Sequence, residues 1–394
     1  MPLGFEREME CSCRSALQMP RSKPIVPFYL PLPRRWFLSS LGIHSVVQWH
    51  KEGRRHHFHE LTHMEPSEPP VLPMPIVIIR PGKVFALMPD GERIVVSGTG
   101  PKSTSRMVSL ATGQDIFVFE KTPPSVRGNA VSSDGTTVAF AADCDRVTFY
   151  DTQTGQKGQV LKVSCNPDVS GLEFVPGSTS LLRAVSRELT AIEANTNGSY
   201  SVRPLRVLEN PPDTPMYDAI AFSSTGNQFA CAWTNPGSSS VSLLQWPSGK
   251  EINRISWKDR QYQHHGFDRI VFTPGDQSLL LSKPDRSVVL WRLIDAASAE
   301  AETVWIEPSA TPERSIFVGR LSFSPDGTLL AYGMNSILSL WAWPDGKCLG
   351  KWKVPGRDPM FYQLGFSVSG RELIASYWSA PMGVHIYRIA EFLS

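Results

Sequence analysis

An all-β chain built from seven copies of one four-stranded unit is the fold class this sequence predicts, and three observations predict it. The first is a turn block of the type Phe-Ser-Pro-Asp-Gly, which recurs at 87–91, 131–135, 174–178, 222–226, 272–276, 323–327 and 366–370. Pro presets the backbone angle of a turn, Asp bonds its own following amides, and Gly takes the left-handed corner. The second observation is that an apolar run follows every block, as in Arg93-Ile94-Val95-Val96 and Thr137-Val138-Ala139-Phe140. The third is that two more short runs separate each such pair from the next block, most plainly at 320–354. These runs are rich in branched and aromatic residues and too short for helices, so they read as strands. One four-stranded sheet cannot bury both of its faces, and stacked copies can. The result is a seven-bladed β-propeller over residues 74–394.

Taken in order, residues 1–73 stand outside the repeat. They are rich in Pro, Arg and His and read as a poorly ordered extension, with an extended linker at 65–70. Within them His59-Glu60-Leu61-Thr62-His63 matches H-E-x-x-H, which on a helix puts two imidazoles on one face for zinc. The surroundings argue for coincidence: the preceding chain is Pro-broken, and Met64-Glu65-Pro66 ends any helix at once. No metal site is assigned. Met64 and Met74 both sit just ahead of the repeat, so a native start at either is an expectation of the sequence.

The repeat then closes on itself. The seventh copy supplies three strands (362–366, 373–378 and 384–389) before the chain nearly ends. Residues 76–80, Ile-Val-Ile-Ile-Arg, lie ahead of the first copy without a local partner. Pairing the two removes an exposed edge, so 76–80 is predicted to be the outer strand of the last blade. The tryptophans at strand positions, among them Trp291, Trp341 and Trp352, are predicted to pack between blades.

The turn block, the aromatic closing the third strand and the Asp ahead of that strand (Asp145, Asp285) give the repeat a resemblance to the WD-repeat (WD40) family, as a divergent, bacterial-type member. Only Tyr150-Asp151 approximates the Trp-Asp dipeptide, and the Gly-His dipeptide of the family is missing from every copy. The resemblance implies a propeller whose N-terminal strand completes the last blade, and a role in protein–protein interaction.

Composition narrows the function. The 394 residues carry a net charge of +2, which gives no overall attraction to nucleic acid or anionic membrane. No apolar run is long enough for a membrane helix and no secretory leader is legible, so a cytoplasmic protein is expected. Six scattered cysteines without a CxxC pair point to reduced thiols. No nucleophile elbow, phosphate loop or dinucleotide fingerprint is present, and no cofactor is expected.

Function on a rigid scaffold lives in loops. The loops leading into the first strands carry Tyr217, Arg260, Tyr262, His264, Arg314, Phe317, Arg357 and Phe361. Those between second and third strands carry Arg106, Arg146, Arg187 and Arg286. Both sets are predicted on one rim. Arginine and aromatic side chains are the usual energetic anchors of interfaces, so the rim is expected to bind an acidic peptide or protein. The chain reads as a non-catalytic scaffold, monomeric or part of a larger complex. The alternative is a propeller enzyme (a lactonase, lyase or hydrolase) with a site at the central mouth. The apolar or small first strands, such as 84–88, 171–174, 219–222 and 364–366, weigh against it.

Overall fold

The computed structural model describes residues 69–393 except for 81, 99–103, 123–125, 143–144, 164–168, 186–187, 208–215, 236–237, 259–268, 283–286, 294–300, 307–318, 335, 357–358 and 378–382. Residues 1–68 of the extension, with the H-E-x-x-H match, lie outside the described residues, as does His264.

Short strands separated by Gly-containing turns fold into seven antiparallel four-stranded sheets. The chain first lays down β1 (Val77–Ile79). Blade 1 follows as β2 (Val84–Leu87), β3 (Arg93–Ser97), β4 (Ser105–Ser109) and β5 (Asp115–Val118). Blade 2 is β6 (Val126–Val131), β7 (Thr137–Ala142), β8 (Arg146–Asp151) and β9 (Lys157–Lys162). Blade 3 is β10 (Val169–Phe174), β11 (Leu181–Val185), β12 (Glu188–Ala194) and β13 (Tyr200–Val207). Blade 4 is β14 (Met216–Phe222), β15 (Gln228–Asn235), β16 (Ser238–Gln245) and β17 (Glu251–Lys258). Blade 5 is β18 (Arg269–Phe272), β19 (Ser278–Ser282), β20 (Ser287–Arg292) and β21 (Ala301–Ile306). Blade 6 is β22 (Arg320–Phe323), β23 (Leu329–Met334), β24 (Ile337–Ala342) and β25 (Lys347–Lys353). Blade 7 is β26 (Phe361–Phe366), β27 (Glu372–Tyr377) and β28 (Gly383–Arg388), completed by β1. A short helix α1 (Ala390–Leu393) follows.

The closure read from the sequence is present. β1 pairs antiparallel with β28, with Val77 opposite Ile386 and Ile79 opposite Val384. The chain ahead of β1 is also engaged. Val71 makes a parallel bridge to Lys353, the Leu72 amide donates to the Lys353 carbonyl at 2.9 Å, and the Lys353 amide donates to the Pro70 carbonyl at 2.7 Å. Leu72 is buried with Trp352 and Phe392. The packed part of the chain thus begins upstream of Met74, because the outer edge of blade 6 recruits it.

The Ser-x-Asp-Gly turns at 132–135 and 324–327 share one mechanism, shown by residues 324–329. Ser324 Oγ donates to Asp326 Oδ1 (2.6 Å), which also accepts from the Thr328 amide (3.1 Å), while the Leu329 amide donates to Ser324 Oγ (2.9 Å). Gly327 sits at φ +71°, the corner that costs a side chain most.

Both faces of every blade are apolar, and the core is divided among the seams. Among the described residues seven clusters of buried apolar side chains fill the seven gaps between neighbouring blades. Trp291, Trp341 and Trp352 are buried in these seams, as their strand positions predict. Cys231 is a free buried thiol, pushed up to about 12 by burial, so it behaves as a small apolar residue.

Candidate functional site

The innermost strands (β2, β6, β10, β14, β18, β22, β26) hold the same place in every blade, so their first residues gather around one mouth of the ring. Some of the strand starts there carry a cation. Arg269 and Arg320 open β18 and β22, Lys83 immediately precedes β2, and Arg146 opens β8. Lys83 Nζ lies 5.6 Å from the centre of the Tyr362 ring of blade 7, and partial burial draws its pKa down. Arg146 is two-thirds exposed, 3.5 Å from Asp145. Among the described residues an acid also stands at such a start: Glu188 opens β12 and accepts from Thr190 Oγ1 at 3.0 Å.

The twelve side chains expected on the rim fare differently. Arg146 is the first residue of β8. Two need correction. Phe361 does not present its ring to a partner: it is the first residue of β26, 4% exposed, with its ring 5.1 Å from Tyr377 in the seam between blades 6 and 7. It was taken for a loop residue because the strand starts at the very end of a Pro-containing stretch. Arg106 is not a loop residue either. It lies within β4, its side chain 13% exposed, and Nη1 donates to Asp115 Oδ2 of the neighbouring strand at 3.0 Å. The antiparallel pairing of β4 with β5 brings those charges together. Tyr217 falls within β14, with its side chain outside the described set. Arg187, Arg260, Tyr262, His264, Arg286, Arg314, Phe317 and Arg357 lie outside the described residues.

Sequence reasoning also passed over polar groups on the innermost strands. Gln363 of β26 reaches across the seam to blade 1. Its Oε1 accepts from the Phe85 amide (2.9 Å) and its Nε2 donates to the Phe85 carbonyl (2.8 Å). Glu173 of β10, half-buried, lies near the Phe222 amide of blade 4. Burial raises Glu173 to about 7 against the opposing pull of Arg269 and of that amide. A signal for Glu173 existed in the sequence. At the position before each block's first residue the other copies carry Ala86, Ala130, Ala221, Val271, Ser322 and Gly365. Among the described residues no group of three or more His, Cys, Asp or Glu side chains is placed to hold a metal.

No protein-family model and no curated protein sequence matches the chain. Solved structures do. The β-propeller domain of Cps50 (Swd1) from Myceliophteria thermophila superposes with a TM-score of 0.62 at 14% identity, covering 80% of this chain and 99% of that one. U3-55K gives 0.61 at 18% identity, covering 80% and 98%. Hydrazine synthase of Kuenenia stuttgartiensis gives 0.63 at 13% identity, covering 83% and 99%. Such neighbours include WD40 propeller domains and an enzyme alike, so the likeness speaks for fold and leaves function to the site. By its own topology and by these neighbours, the chain is a seven-bladed β-propeller of four-stranded antiparallel sheets.

Proposed function

We propose that this chain is a non-catalytic scaffold that uses the loop-bearing rim around the central mouth to hold an acidic segment of a protein partner. The observation that carries this reading is the set of cations at the strand starts of that rim: Lys83, Arg146, Arg269 and Arg320. They stand on strands locked into seven apolar seams, so their backbone positions are fixed before a partner arrives, which lowers the ordering cost of binding. The loops between them add the sequence-predicted anchors Arg260, Arg314 and Arg357. Arginine suits this task because its planar fork binds carboxylates in pairs and stacks on rings. The WD40 propellers among the structural neighbours favour a protein partner over a small substrate.

The test is affinity capture from source-cell lysate with the full chain as bait. A second bait carries Arg146→Glu, Arg260→Glu, Arg314→Glu and Arg357→Glu, after its melting curve is shown to match. A partner held by the first bait and lost by the second, in a salt-sensitive manner, is the expected result. A partner held equally by both overturns the assignment to this rim. Turnover of a lactone or ester by the purified chain would favour the enzymatic alternative.

A further inference from the structure

The chain just ahead of β1 lies on β25, the outermost strand of blade 6, away from the mouth, and it pairs as a strand does. Val71 bridges Lys353 in the parallel sense, the Pro70 carbonyl accepts from the Lys353 amide, and the Leu72 amide donates to the Lys353 carbonyl. The side chains alternate accordingly: Val71 is 62% exposed and Leu72 is buried. Leu72 joins the apolar cluster of the seam between blades 6 and 7, where Trp352 of β25 meets Phe392 of α1 edge to face at 4.9 Å. Three distant parts of the chain make one seat, with a strand edge for two main-chain bonds and an apolar pocket for one leucine.

The occupant of that seat is cut short by its own sequence. In a regular parallel ladder the amide of residue 70 would donate to the carbonyl of residue 351, and the amide of residue 355 would donate to the carbonyl of residue 72. Positions 70 and 355 are both proline, with no N–H, so neither bond can form. Among the described residues the segment therefore meets β25 through the backbone of Lys353, the last of that strand's seven residues. Prolines guard an edge against open-ended pairing, and a segment stopped by them is a weak strand partner.

We propose that the outer edge of blade 6 is a docking site for an extended, leucine-bearing segment of a partner protein, and that residues 70–72 are its resident intramolecular occupant. The partner strand runs parallel to β25 and seats a leucine where Leu72 stands. At the place of Pro70 it carries a residue with an N–H, which adds the bond that proline cannot make. Binding of this kind takes affinity from main-chain bonds and selectivity from pockets for alternate side chains. The resident segment has the advantage of its tether, which for a short link is worth a local concentration on the order of millimolar. The partner has the longer ladder. It displaces residues 70–72, and they keep the seat filled in its absence. This seat shares no residue with the cationic rim.

The experiment measures the fluorescence anisotropy of labelled peptides against the full wild-type chain and the full chain carrying Leu72→Asp, which empties the pocket. One peptide has the sequence of residues 66–73, and a second has Pro69→Ala and Pro70→Ala in it. Saturable binding to the Leu72→Asp chain is expected, with wild type weaker by about tenfold or more because its own segment competes. The alanine peptide is expected to bind roughly fivefold tighter through its added bond. A third peptide carrying Leu72→Asp is expected not to bind. Absence of saturation with a Leu72→Asp chain that melts cooperatively overturns the proposal, as does equal affinity for the two chains. If Leu72→Asp does not melt cooperatively, native-state hydrogen exchange of the wild type decides. The Leu72 and Lys353 amides are then expected to open together and well before those of β24, and their exchange only through global unfolding overturns the proposal. A wild-type chain that is a dimer by size exclusion and becomes a monomer on Leu72→Asp assigns the seat to a second copy and overturns its assignment to a partner.

Discussion

Removal of the N-terminal strand tests how the ring is closed. A chain beginning at Arg80 lacks β1 and everything before it. It loses the side chain of Ile79, 1% exposed in the seam between blades 7 and 1, and that of Leu72, 6% exposed in the seam between blades 6 and 7. Deleting a buried Leu or Ile side chain costs about 2–5 kcal/mol at each site. The loss also removes the β1–β28 ladder, the bond from the Ile76 amide to the Ile386 carbonyl (2.8 Å) and the two bonds to Lys353, at about 1 kcal/mol net apiece. The sum is comparable with the whole stability of a typical domain, about 5–15 kcal/mol. The truncated chain is therefore expected to lose its cooperative melt, or to oligomerise through the bared edge of β28. A chain beginning at Met74 keeps β1 and loses Leu72 together with the two bonds to Lys353, for an expected cost of about 4–7 kcal/mol. Single substitutions give the finer scale: Ile79→Ala should cost about 2–5 kcal/mol, and Ile78→Ala, at a half-exposed site, within about 0.5 kcal/mol. Calorimetry with size-exclusion chromatography reads all four. A chain beginning at Arg80 that melts as a monomer at the full-length temperature would refute closure by this strand.

Two further predictions follow from packing and from the turns. A Cβ at Gly171 would stand 2.5 Å from Ile220 Cγ1 across the seam between blades 3 and 4, so Gly171→Ala should lower stability by about 1–3 kcal/mol. Ile220→Ala in the same chain should recover part of that loss, and a double-mutant cycle by urea unfolding that is strictly additive would show that the two sites do not meet. Asp134 is held below the usual carboxylate range by bonds from Ser132 Oγ and the Thr136 amide. It therefore stabilises the fold above its ordinary pKa and loses that contribution as pH falls through its depressed value. Asp134→Ala should melt lower than wild type at pH 7 and converge with it in acid. A gap that persists at pH 2 would point to a cause other than the charge.

The rim and the seams were legible to different degrees. Arg146 and Phe361 both stand where a loop meets a strand, Arg146 opening β8 and Phe361 opening β26. A loop end and a strand start look alike in sequence, and only its seat against Tyr377 shows that Phe361 is core. Arg106, at the end of a loop in the sequence, shares that ambiguity, and the pairing of β4 with β5 supplies it with Asp115. Gln363 was hidden by the apolar character of the strand around it. Its partners are backbone groups on another blade, and a backbone amide leaves no mark in a sequence.

The sequence by itself determined the number of blades, the four strands in each and the closure by an N-terminal strand. Turn chemistry and alternating apolar runs are local, and seven repetitions make a local signal unmistakable. Only the tertiary structure decided which polar side chains face a neighbouring blade, where the packed chain begins, and which of the rim candidates are already engaged. Those outcomes depend on register and on contacts between residues far apart in the chain, such as Gln363 with Phe85 and Leu72 with Trp352. A one-residue change of register would send each of those side chains to the opposite face.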